Sequence, residues 1–130
     1  MHTGINATFV RLACACAPVL SMLAASAALA QAAPRAEVAS PDVYKVAAQN
    51  DKYRILVMTW QPGQRDQWHS HPVAAVYFIT DCALRGHYPD GKTREAKPNA
   101  GAGRVQPVVE SHWVENIGNS ECRAVMFEEK

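Results

Sequence analysis

His69 and His71 stand two residues apart in the stretch Gln67-Trp68-His69-Ser70-His71, and a third histidine, His112, follows some forty residues later. Neutral imidazole is the commonest protein ligand for metals, so the spacing of these rings matters more than their number. In extended chain, residues i and i+2 project from one face. Both rings of the pair can therefore approach a single point while Trp68 and Ser70 turn the other way. His112 opens a further strand-like run, His112 to Asn116, and joins the pair only if a sheet closes and brings the runs together. The chemistry implied is coordination of one divalent ion by three nitrogen donors.

The elements that must position these rings read as strands. No stretch sustains a long amphipathic helical pattern. Short runs rich in β-branched and aromatic residues recur instead, at Tyr53–Trp60, Ala74–Thr80, Ala83–Tyr88, Arg104–Val109, His112–Asn116 and Cys122–Phe127. Turn residues separate them: Pro62-Gly63, Pro89-Asp90-Gly91, Pro98-Asn99, Gly101-Ala102-Gly103 and Gly118-Asn119. Asp90-Gly91 marks a hairpin between Ala83–Tyr88 and Lys92–Lys97. Regular short strands broken by turns predict an all-β sandwich or barrel in place of a βαβ fold.

The chain has 130 residues, with 13 Lys and Arg against 12 Asp and Glu. That is room for one domain. The balance speaks against a nucleic-acid binder, which carries a basic excess, and against a polybasic membrane-surface module. Averages hide two unlike segments, however. Arg11 precedes an Ala-rich uncharged run, Leu12 to Ala30, that ends Ala28-Leu29-Ala30-Gln31. A basic flank, an apolar stretch and a small-x-small ending make residues 1–30 an expected signal peptide of bacterial style, destined for the periplasm or exterior. The competing expectation is an uncleaved anchor, since such a run could just span a bilayer. Residues 31–50 read as a flexible lead-in and first strand, and 51–130 as the barrel. Cleavage removes Cys14 and Cys16 and leaves Cys82 and Cys122, either bridged in an oxidising compartment or as two semi-buried thiols.

Two spaced motifs in this barrel resemble those of the cupin superfamily. Gly63, five residues, then His69-Ser70-His71 match the first half of motif one. Gly101, five residues, Pro107, then His112 and, after three more residues, Asn116 match motif two, with Val109 where the family has Gly. The resemblance covers roughly residues 60–117 and implies a small cupin-type, jelly-roll-like β-barrel with His69, His71 and His112 as metal ligands. It departs at the family's Glu ligand, which falls at Ala75 or Val76, neither of which can bind metal.

Some cupins, the thiol dioxygenases among them, use three His without the Glu. Losing a carboxylate leaves a more electron-poor ion with an extra open position. By that resemblance the implied cofactor is one divalent metal, iron(II) ahead of zinc, manganese, nickel or copper, and the implied activity a non-haem iron dioxygenase acting on a small molecule. The alternative is a non-catalytic module that holds a metal or small ligand. Gln67 and Tyr77 are the candidate pocket or supporting residues beside Ala75. Gln67 shares the strand parity of the histidine pair, and Tyr77 shares that of Ala75. A small barrel leaves sheet edges to cover, so a homodimer is expected, with no nucleic-acid partner and no membrane association after signal cleavage.

Overall fold

The computed structural model describes Met1 and residues 32–130; apart from Met1, the signal expected over 1–30 lies outside the described residues. One short helix, α1 (Ala36–Ala39), precedes nine strands: β1 (Tyr44–Gln49), β2 (Tyr53–Trp60), β3 (His69–His71), β4 (Ala74–Phe78), β5 (Leu84–His87), β6 (Thr93–Ala96), β7 (Gly103–Gln106), β8 (Val109–Asn116) and β9 (Cys122–Glu129). They form two antiparallel sheets, one ordered β1-β2-β9-β4-β7 and the other β3-β8-β5-β6. The all-β barrel follows the strand runs of the sequence. The Asp90-Gly91 turn joins β5 to β6, with Gly91 at φ +78°, a conformation that favours glycine.

Period-two alternation divides the residues between core and surface. On β2, Leu56, Met58 and Trp60 are buried; on β9, Cys122, Ala124 and Met126; on β4, Ala74, Val76 and Phe78. Leu84 and Val114 close the core from the smaller sheet. The register lines the inner face of the larger sheet in rows. Leu56, Met126, Val76 and Arg104 pair side by side across four strands, and so do Arg54, Glu128, Ala74 and Gln106. The first row is apolar up to its last member. The second is polar except for Ala74. Burying polar groups this way is tolerable only where partners meet them.

Two expectations change here. Residues 33–43 do not trail from the barrel as a flexible lead-in. Ala36 and Val43 are fully buried, the Ser70 N–H donates to the Pro34 carbonyl at 2.8 Å, and the Gln67 N–H donates to Ser40 Oγ at 2.8 Å. Small side chains let this segment lie close, and its Glu37 forms an ion pair with buried Arg54. The cysteines, left open between thiols and a bridge, are joined as Cys82–Cys122, tying the start of β9 to the loop before β5.

Candidate metal centre

His69 and His71 occupy the two ends of β3, and His112 lies directly opposite His69 on β8. The third ring thus arrives from a hydrogen-bonded neighbour in the same sheet, so barrel closure is not what brings the rings together. Their centroids are 4.5 Å (His69 to His112), 4.8 Å (His69 to His71) and 5.4 Å (His71 to His112) apart. All three residues are buried, and one ligand nitrogen from each lies within 4.8 Å of the others.

Hydrogen bonds on the far side of two rings decide which nitrogen carries the proton. His69 Nδ1 lies 2.7 Å from the Gln67 carbonyl. A carbonyl only accepts, so Nδ1 donates and Nε2 keeps its lone pair. His71 Nδ1 faces Glu128 Oε2 at 3.4 Å, which sets the same tautomer. The two Nε2 atoms then approach to 3.0 Å. Tyr44 Oη sits 3.1 Å from His69 Nε2, but its one proton goes to Asp66 Oδ2 at 2.8 Å. His112 Nε2 is buried with no hydrogen-bond partner. The Nε2 atoms of His69 and His71 therefore face each other, and the His112 ring, its Nε2 without a partner, lies against both. A cation relieves that arrangement, and the residues present fit one.

The electrostatics agree. Burial, followed by the charge of His71, pushes the His69 pKa down to about 4. Burial, then the charges of His69, His71 and Arg104, brings His112 to about 2. Both rings are neutral at physiological pH, the form that ligates. Burial likewise raises the Asp66 carboxyl to about 6 against hydrogen bonds from the Val114 N–H, Tyr44 and Trp60. Burial and then Asp66 hold the Tyr44 hydroxyl well above its ordinary range, so it stays protonated. At Glu128 burial pushes upward, yet the His71 hydrogen bond and the Arg54 charge leave the carboxyl below its usual value.

The remaining candidates separate. Gln67 serves His69 through its backbone carbonyl, while its side chain is exposed. Ala75 and Tyr77 face outward, Tyr77 with 55% of its surface exposed. Tyr77 is therefore not a cavity wall. The chain leaves one sheet at His71 and enters the other at Ala74, and the Pro72-Val73 break resets the parity, so Val76 and Phe78 point inward instead. Val76, the other position at which the family's Glu could fall, adds only an apolar wall.

Sequence reasoning missed Tyr44, Asp66, Arg54 and Glu128. Arg54 and Glu128 carried a signal: each is a charged residue at the buried parity of an otherwise apolar strand. His87 stacks on Trp113 at 3.6 Å and reaches Glu115 at 3.1 Å, away from the cluster.

Between the sheets a cavity of about 680 Å³ opens from His71 and His112 past Val76, Phe78 and Met126 to Arg94 and Arg104. Its size falls within the range of small-molecule sites.

No family model matches the chain, and no curated protein matches it. Solved structures do. A cupin domain from Bordetella pertussis aligns at 23% identity and TM-score 0.62, over 77% of this chain and 98% of that one. A double-stranded β-helix protein from Klebsiella pneumoniae aligns at 21% and 0.55, over 67% and 75%. A cupin superfamily protein from Desulfitobacterium hafniense aligns at 8% and 0.51, again over 67% and 75%. The fold is thus the cupin β-barrel, and within it this chain has a three-histidine site able to hold a metal ion.

The lowered histidine pKa values have a measurable consequence for the metal-free protein. His69 and His112 take up protons near pH 6.5 when unfolded but only near pH 4 and pH 2 when folded. The unfolded state therefore binds more protons below pH 6.5. Stability falls from there toward pH 4 by about 1.4 kcal/mol per pH unit for each group. Thermal unfolding of the chelator-treated protein should show its midpoint dropping across this interval; a flat midpoint contradicts the buried neutral rings.

Proposed function

We propose that this chain is an exported metal-binding protein of cupin fold, with His69, His71 and His112 holding one divalent ion, iron(II) first, and acting as a dioxygenase-type oxidoreductase on a small molecule. The observation that carries this is the convergence of three buried imidazoles with no carboxylate among the three ligands, at the end of a cavity large enough for a substrate. Iron(II) on such a donor set supplies, when bound, positions for both dioxygen and substrate. The chain's own residues do the rest. The Gln67 carbonyl and Glu128 hold two rings in the ligating tautomer. Val76, Phe78, Leu84, Val114 and Met126 line the cavity and limit water. Tyr44 keeps a proton at Oη beside His69.

A second reading, a binding module without turnover, is favoured by one observation: the Tyr44 proton is already donated to Asp66, and the buried carboxylates against the rings, Asp66 at 3.7 Å from His69 Nδ1 and Glu128 at 3.4 Å from His71 Nδ1, are both on the Nδ1 side. Oxygen uptake by the iron-loaded protein with thiols, diketones and phenolics separates the two. Uptake with product supports the oxidoreductase. Ligand-induced thermal stabilisation with no uptake leaves the binding module. In either case Glu128→Gln should weaken metal binding about 10- to 100-fold, the usual effect of removing a ligand's supporting partner; unchanged affinity contradicts the role given to Glu128.

Export and pairing belong to the same proposal. The Cys82–Cys122 bridge suits an oxidising compartment. The outer face of the larger sheet supports a second copy as its cover, for Tyr53, Phe127, Tyr77 and Val105 are exposed there. Arg123 and Glu129 end β9 on that face. A two-fold axis across the strands sets Arg123 of one copy opposite Glu129 of the other, and such complementary ends favour pairing. Protein recovered from the periplasm should begin at Gln31, lack free thiols and sediment at twice the chain mass, reverting to monomer with Phe127→Lys. An uncleaved chain or a monomeric wild type contradicts the respective part.

A further inference from the structure

The cavity has a polar wall on β7. Arg104 and Gln106 share the inward parity of that strand, opposite Val76 and Ala74 respectively. Only 9% of Gln106 is exposed, and its Nε2 is buried without a hydrogen-bond partner. Its Oε1 faces Arg104 Nη2 at 3.4 Å, which leaves the amide N–H₂ as the unused end. The Arg104 guanidinium lies over the Phe78 ring, 5.8 Å from its centroid, and forms no salt bridge among the described residues. Arg94, from the opposite sheet, also lines the cavity and rests 5.3 Å from the Tyr88 centroid.

These groups are all donors. An arginine fork and an amide N–H₂ on one wall match a planar, negatively charged acceptor. Two carboxylates also line the cavity. Glu95 is taken up by Arg85 at 2.8 Å, and Glu110 is exposed. Neither is paired with Arg104. Apolar side chains line the cavity beside this wall: Val76, Phe78, Leu84 and Met126.

We propose that the cavity binds a small organic carboxylate with an apolar body, its carboxylate held by the Arg104 guanidinium and the Gln106 amide and its body lying against Phe78, Val76, Leu84 and Met126. This names the ligand class for the cavity described above and rests on that cavity being the functional site.

The test uses 4-phenylbutyrate and its neutral amide as probes, in calorimetric titrations of the protein as purified and after chelator treatment, with bound metal measured separately. The acid should bind at least tenfold more tightly than the amide in both forms, as expected when one charge-assisted contact distinguishes them. Arg104→Met should abolish that preference at unchanged metal content, and Gln106→Leu should reduce it. Arg104→Lys should restore part of it, which guards against a mere folding defect. Equal binding of acid and amide, or binding of neither, overturns the proposal. So does a preference that survives Arg104→Met but vanishes with the metal, since the anion then sits on the ion. Absence of metal in wild-type protein that still prefers the acid through Arg104 overturns the metal centre and leaves this inference standing.

Discussion

Burying three imidazoles in contact with one another strips them of hydration and holds His69 and His112 neutral, and the chain is arranged around keeping the rings correctly turned. An unprotonated ring still has one N–H that must find an acceptor. His69 finds the Gln67 carbonyl and His71 finds Glu128. Glu128 is itself a buried charge, which requires Arg54, with Nε 2.8 Å from Oε1. Arg54 has a second acid in Glu37, and Glu37 comes from α1. One demand at β3 is therefore passed through β9 and β2 to the segment ahead of the first strand. Breaking a buried pair in such a chain leaves an uncompensated charge, typically a loss of about 3–5 kcal/mol.

The same logic divides the interior. The larger sheet offers apolar rows through Met58 and Leu56, then a row in which Arg54, Glu128 and Gln106 replace hydrocarbon. Arg54 and Glu128 satisfy each other and steady His71. Arg104 and Gln106, at the free edge of that sheet, have no such closure and face the cavity. A fold stabilised by its apolar rows can carry the unsatisfied Gln106 amide and the Arg104 charge without an ion-pair partner, and a ligand is the natural partner for them. The site thus lies where the core stops being a core.

Much of this was legible in the residues. Alternation in Tyr53–Trp60 and Cys122–Phe127 marks strands because sidedness is imposed by the pleat, and glycine and proline mark the turns by their backbone limits. The histidine set is legible because its spacing repeats a known pattern. Tyr77 was misplaced because parity carries only along one unbroken strand, and Pro72 and Val73 interrupt it. The adjacency of β3 and β8, and hence the pairing of His69 with His112, is a matter of long-range topology that local pattern does not encode. Glu128 and Arg54 were visible as charges at buried parity, yet each gains meaning only beside the other, 74 positions away. Gln67 shows the opposite failure, since its contribution comes from a backbone carbonyl that every residue possesses.

Elemental analysis tests the central claim most directly, with purified wild type measured beside the double variant His69→Ala, His71→Ala after both have been exposed to divalent metals and desalted. The three-histidine site predicts close to one ion per chain in the wild type and none in the variant. A wild type that retains no metal, or a variant that retains as much, would contradict the account.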